Sequence, residues 1–290
     1  RVKNYADVLS GLEKMCMQRP GSLIIKEVNE VRTPPLKNPT SSFLNTLECV
    51  KVIRNNTPYV NVLCAIIASG SLANLLELDL EANDISDPGM ASLSNAIARD
   101  PLANLKDLNL GHNQIGHAGM ESFCSAIASG ALANLKDLNL AYDNIGGDGM
   151  KAFASAIAKG ALAALQVIML TENNIGDKGM KALSTAISSG SLRSLEGLWL
   201  GQNQIGNAGL TQLSRSIANG SLGNLKELDI SDNNIDYVGM ATFADAINPT
   251  PANPMGGLPS LQTLYVNDGL FGSEHAQLKA ACEARGIELE

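Results

Sequence analysis

The sequence predicts a curved α/β solenoid, with a parallel sheet on its concave face and helices on its convex face. Three observations carry this. The same stretch recurs six times at a 30-residue period, most clearly as LANLKDLNLGHNQIGHAGMESFCSAIASGA from Leu102 and LANLKDLNLAYDNIGGDGMKAFASAIAKGA from Leu132. The frame puts Gly89, Gly119, Gly149, Gly179, Gly209 and Gly239 in a single slot. Each copy holds an apolar alternation of period two followed by an apolar stripe at helical spacing. A period this fixed marks stacked units that share one continuous core, whatever the chain length.

Taken in chain order, residues 1–41 depart from the pattern. Tyr5, Val8, Leu9, Leu12 and Met15 form a helical stripe stopped by Pro20-Gly21. Leu23-Ile24-Ile25 reads as a short strand, and Pro34, Pro35 and Pro39 as an extended linker. This segment is expected to cap the open core of the first repeat, as solenoids require. Residues 42–71 are a degenerate first repeat, with Leu44, Leu47, Val50, Val52 and Asn55 in the repeat positions. Residues 72–247 are six 30-residue repeats. Residues 248–257, rich in Pro and Gly, are a loop insertion, and residues 258–290 are a last repeat and C-terminal cap with a helix near Ser273 to Ala284.

Within the repeat that begins at Leu102, Leu108-x-Leu110 is a strand with both leucines on its inner face. Met120, Phe123, Ala126 and Ile127 form the buried stripe of a helix. Gly119 is expected just before that helix and Gly130 just after it, where a left-handed cap is cheap. The slot of Asn83, Asn113, Asn173, Asn203 and Asn233 suits an amide ladder, because an amide both donates and accepts where the strand turns away. Asp143 fills that slot in the third repeat and lacks the donor, so one bond of the ladder should be missing there or made by water.

The formal net charge is −8 with no long block of one sign, which argues against nucleic acid as the main partner. No run of 18 apolar residues exists, so no transmembrane segment is expected. The five cysteines have neither disulfide-framework nor zinc spacing and read as small apolar residues of a reducing, intracellular and most simply cytoplasmic compartment. The chain begins at Arg1, so a targeting segment could have been removed; none is visible in the sequence.

The pattern LxxLxxLxLxxNxIGxxGMxxLxxAI resembles leucine-rich repeats of the ribonuclease-inhibitor type. Related arrays occur in ribonuclease inhibitors, in the Ran GTPase-activating protein and in the sensor half of NOD-like receptors. The resemblance implies a non-catalytic scaffold, adaptor, inhibitor or assembly subunit that binds a protein partner through its concave sheet. It leaves two alternatives: a GTPase-activating regulator, or the ligand-sensing fragment of a larger receptor. The motif is specific for fold and nearly silent on partner.

No catalytic constellation or metal site is visible, and no cofactor is expected. His112 and His117 are five residues apart across a turn, not a helical pair of ligands. Cys124 occupies a slot filled elsewhere by Ser94, Ala154, Ser184, Ser214 and Ala244, a small packing position rather than a nucleophile. The informative residues are those the repeat leaves free on the strands. One concave row reads Glu77, Asp107, Asp137, Val167, Gly197, Glu227, Thr263, and the next Asp79, Asn109, Asn139, Met169, Trp199, Asp229, Tyr265. The acids Glu77, Asp79, Asp107 and Asp137 lie to one side of an apolar patch of Val167, Met169 and the lone tryptophan, Trp199, with Tyr142 and Tyr265 flanking it. An apolar patch on an otherwise polar sheet, beside acids, is expected to bind a protein partner that carries a basic patch.

Overall fold

The computed structural model describes residues 22–26, 46–53, 58–250, 256–267 and 275–290. The stripe at Tyr5–Met15, the proline linker, Asn55 and half of the 248–257 insertion (251–255) fall outside these.

Ten parallel strands form one sheet in chain order. They are β1 (Ser22–Lys26), β2 (Cys49–Ile53), β3 (Glu77–Asp79), β4 (Asp107–Asn109), β5 (Asp137–Asn139), β6 (Val167–Met169), β7 (Gly197–Trp199), β8 (Glu227–Asp229), β9 (Thr263–Tyr265) and β10 (Glu288–Leu289). Between them run α1 (Pro58–Ile67), α2 (Asp87–Arg99), α3 (His117–Ala128), α4 (Gly146–Ala158), α5 (Gly176–Ser188), α6 (Asn207–Ala218), α7 (Tyr237–Ile247) and α8 (Ala276–Arg285). Neighbouring strands sit about 4.8 Å apart, whereas packed helices need about 8–10 Å. Stacking one strand and one helix per unit therefore forces an arc with the sheet inside.

The register follows the leucines. Leu78, Leu108, Leu138, Ile168, Leu198, Leu228 and Leu264 face one another directly across the sheet. With Leu80, Leu110, Leu140, Leu170 and Leu200 they are at most 1% exposed. Each such side chain contributes about 1.5–3 kcal/mol by leaving water. A one-residue slip would turn the whole layer to solvent, so the register is strongly fixed.

The sheet begins inside the segment read as an N-terminal cap, because β1 pairs with β2 in the same parallel sense as every later strand. It also ends one strand later than expected, at β10 against β9. The C-terminal helix is α8, and its last residue ties the end down. The Arg285 guanidinium donates to the carbonyls of Ile247 (2.8 Å), Gly257 (2.7 Å) and Leu258 (2.5 Å).

The expectation for Gly119 is corrected. It lies inside α3, whose first residue is His117. A Cβ at Gly119 would fall 3.2 Å from the Met90 Cβ and 2.7 Å from an Asp87 carboxylate oxygen. The slot is glycine because adjacent helices touch there, not because the helix is about to start. Gly130 is left-handed at φ +91° after the helix, as expected.

Two kinds of turn lead from strand to helix. Before α2, α3, α6 and α7 the capping residue is extended, with φ from −89° to −102°. Before α4 and α5 it is helical, and Gly146 and Gly176 follow with positive φ. Their amides bond forward, to the carbonyls of Asn173 and Asn203, both at 2.9 Å. In two of the extended turns the cap comes from the preceding repeat. Asp87 accepts from the amides of Gly116 (2.7 Å) and Gly119 (2.9 Å), and Asp177 from those of Gly206 (2.7 Å) and Gly209 (2.8 Å). A carboxylate there satisfies orphan N–H groups and meets the positive end of the helix dipole.

Candidate binding face

The asparagine slot forms a ladder. Asn113 Oδ1 accepts from the amides of Asn83 (3.0 Å) and Ile85 (2.9 Å), while its Nδ2 donates to the carbonyls of Leu80 (3.0 Å) and Leu110 (2.6 Å). Asn173, Asn203 and Asn233 repeat the arrangement, and Asn83 Nδ2 reaches back to the Val52 carbonyl at 2.8 Å. Each amide thus closes backbone groups of two repeats. Asp143 keeps half of this: its Oδ1 accepts from the Ile115 amide at 2.8 Å, and its buried Oδ2 has no partner.

The concave rows come together as the strand pairing dictates. Asp107 stands between Glu77 and Asp137. Asp137 adjoins Val167, and Met169 adjoins Trp199. Asp107 is open to solvent, but the curved sheet crowds water from it, and Asp137, Glu77 and Asp79 repel its charge; together these push its carboxyl up to about 6. Burial likewise raises Asp137, in part opposed by Lys136. Asp79 differs from its neighbours: it is 7% exposed and ion-paired with Lys51 from β2. Its charge is compensated, so the uncompensated acids are Glu77, Asp107 and Asp137.

The second concave row has a structural duty that sequence alone did not disclose. Asp79, Asn109, Asn139 and Asp229 each accept, through a side-chain oxygen, from the amide two residues on, at 3.1, 3.1, 2.9 and 2.9 Å. This local bond stops the strand as a turn-forming Asx side chain does. Met169 and Trp199 occupy the same slot and cannot make it.

The apolar side chains also pair. Trp199 and Tyr265 stack with ring centroids 5.2 Å apart, leaning together across the strand of Asp229, which is 8% exposed. The indole is half-buried because Gly197 leaves it room: a Cβ there would sit 3.4 Å from Trp199 Nε1. Tyr142, 40% exposed, stacks on His112 with centroids 4.0 Å apart and planes 7° apart. Both hold positive φ, which lifts them onto the rim beyond the strands. Met169 is 37% exposed, and Val167 is half-buried beside it. His112 in the slot of Tyr142, Gly197 before Trp199 and the Asp and Asn side chains of the second row were all visible in the repeat alignment, but their roles depend on side-chain direction.

On the convex side, a cavity of about 420 Å³ lies between α3 and α4, lined by Glu121, Cys124, Ser125, Ala152, Ala156 and Lys159 among others. Burial pushes the Cys124 thiol up to about 12, too high for a thiolate at neutral pH. Among the described residues, no three His, Cys, Asp or Glu side chains gather as a metal site would require. Among them too, no helix is long and apolar enough to cross a membrane.

The profile of the Leucine Rich repeat family matches five stretches, residues 71–94, 102–124, 131–154, 165–184 and 224–244. These five stretches are similar to leucine-rich repeats. Leucine-rich-repeat proteins generally mediate protein–protein interaction. No curated protein matches the sequence. Among solved structures, an internalin from Listeria monocytogenes is similar at 17% identity over 98% of this chain and 94% of its own, with a TM-score of 0.37. The leucine-rich-repeat ectodomain of the Arabidopsis receptor kinase HAESA, solved with a peptide hormone, is similar at 18% identity over 78% of this chain and 36% of its own, with a TM-score of 0.42.

Proposed function

We propose that this protein is a non-catalytic scaffold whose concave sheet binds a protein partner, and that its repeats are of the ribonuclease-inhibitor-like type. The observation that carries the binding reading is the exchange in the second concave row. Four strands use that slot for a bond that shapes their own turn, and β6 and β7 give it up for an exposed methionine and a tryptophan. Neither packing nor turn formation asks for these two residues, whereas docking does: tryptophan is among the side chains most enriched at binding hot spots. The partner's apolar anchor would sit on Met169, Trp199 and Tyr265, with lysine or arginine facing Glu77, Asp107 and Asp137. The stacked Tyr142 and His112 form the rim on one side.

The test is positional. A photo-crosslinker in place of Met169 should capture the partner, and one in place of Ser125 on the convex face should not. Asp107→Lys should mainly slow association, and more so at low salt, because charge on an exposed rim steers encounter. Capture from the Ser125 position alone would place binding on the helices and overturn the reading.

A further inference from the structure

The ladder rung at Asp143 lacks the donor that the asparagine rungs supply. In complete rungs, a strand-end carbonyl accepts from two ladder amides. The Leu170 carbonyl takes Asn173 Nδ2 (3.2 Å) and Asn203 Nδ2 (2.8 Å), and the Leu200 carbonyl takes Asn203 Nδ2 (3.1 Å) and Asn233 Nδ2 (2.9 Å). The two carbonyls that flank the Asp143 side chain, those of Leu110 and Leu140, have one ladder amide each, from Asn113 and Asn173, both drawn in to 2.6 Å. These are the carbonyls that an amide at position 143 would also serve.

Asp143 is placed like its asparagine counterparts, since its Oδ1 takes the Ile115 amide as Asn173 Oδ1 takes the Ile145 amide. Oδ2 therefore stands in the Nδ2 position, buried and without a partner, facing oxygens that can only accept. An ionised carboxylate among carbonyls is repelled and unsolvated, while a carboxylic acid has the one donor the gap lacks.

We propose that Asp143 is a neutral carboxylic acid in the folded protein, its Oδ2–H donating into the Leu110–Leu140 carbonyl pair, so that this rung binds a proton which the asparagine rungs do not need. Burial supports this by pushing the carboxyl up to about 7, against the pull of the Ile115 and Asn113 amides. The titratable groups on the adjoining turns are His112 and His117 before it, Tyr142 beside it, Asp148 on α4 and Glu172 after it, and all five are exposed. Asp107 and Asp137 lie at the far ends of β4 and β5. The proposal rests on the ladder alone and does not depend on the binding reading.

A folded-state value raised above the unfolded one means that the native protein holds the proton longer. The stabilisation is complete below about pH 4, where both states are protonated, and is lost as pH rises from there through about 7. Over that window the unfolding constant of this region should rise about tenfold per pH unit relative to an asparagine rung. The experiment compares the parent protein with Asp143→Asn, which restores the ladder residue and is expected to fold. The gap between their urea midpoints should widen from pH 4 to 7 in favour of Asp143→Asn, then stay constant. The side-chain carboxyl carbon of Asp143, assigned by its loss in that variant, should titrate in the folded protein near pH 7. A midpoint gap independent of pH, or a carbon signal that titrates in the ordinary aspartate range, would overturn the proposal.

Discussion

Strands β3–β5 and strands β6–β7 have the same pairing, the same buried inner layer of leucines with Ile168 in β6, and the same spacing, yet present opposite chemistry to the concave side. The first group shows Glu77, Asp107 and Asp137 and spends its second row on turn-forming Asx side chains. The second shows Val167, Met169 and Trp199, the last lying over Gly197. The difference shows where a repeat protein keeps its information. The layer facing the helices is held constant by packing, and the layer facing outward is free to vary until a partner constrains it.

The comparison breaks first if the two regions differ inside. Leu140 and Leu200 are both fully buried, one behind each region. Leu140→Ala and Leu200→Ala should each cost roughly 2–5 kcal/mol, with effects mainly on adjoining repeats. Urea unfolding should give similar losses for the pair, and an unchanged midpoint for either would show that the stack is not uniform.

Equivalent positions in the second row should then give opposite readouts. Trp199→Ala should weaken partner binding by about 2 kcal/mol or more and leave folding nearly unchanged. Asn109→Ala, the same slot in β4, removes the acceptor of the Gly111 amide and should cost about 1 kcal/mol of stability, with little effect on affinity. Isothermal titration and thermal melts of both variants separate the two. Equal behaviour would mean that the slot has one role throughout.

The smallest effect belongs to the acids. Because the Asp107 carboxyl is raised, its repulsion of Asp137 and Glu77 develops as pH climbs from about 4 through 6. Asp107→Asn should therefore be slightly the more stable protein at neutral pH, by less than about 1 kcal/mol since water screens an exposed group, and should lose that advantage below about pH 4. In the parent, attraction for a basic partner should decline as the solution is acidified through pH 6. Melting temperatures across pH test the first statement, and association rates the second.

The fold was legible because packing leaves few options at the leucine, glycine and asparagine slots, and repetition shows each constraint six times. The pairing of Met169 with Trp199 and the run of acids followed from strand register alone. What stayed hidden depends on side-chain direction or on neighbours 30 residues away. Asp79 reads as one more acid until Lys51 is seen beside it. The slot of Gly119 looks like a helix start, yet it is a point of helix contact. Strand β10 is only two residues long and follows Gly286, so no alternation marks it. The caps at Asp87 and Asp177 did leave a trace, an aspartate 29 residues before an extended glycine turn, but a trace readable only once the turn is known.

Those caps set the boundary of what can be copied. A helix such as α3 is completed by a carboxylate in the repeat before it, so the 30-residue unit of duplication and the unit of structure are out of phase. A recombination that placed the Gly116 turn behind a repeat lacking an aspartate at that position would leave two helix-start amides open. At the Gly146 and Gly176 turns the glycine amides bond forward instead, to the carbonyls of Asn173 and Asn203. The repeat of the Gly146 turn can thus be exchanged without opening a helix cap, whereas the repeat of the Gly176 turn carries Asp177 and cannot be removed without leaving the Gly206 and Gly209 amides open.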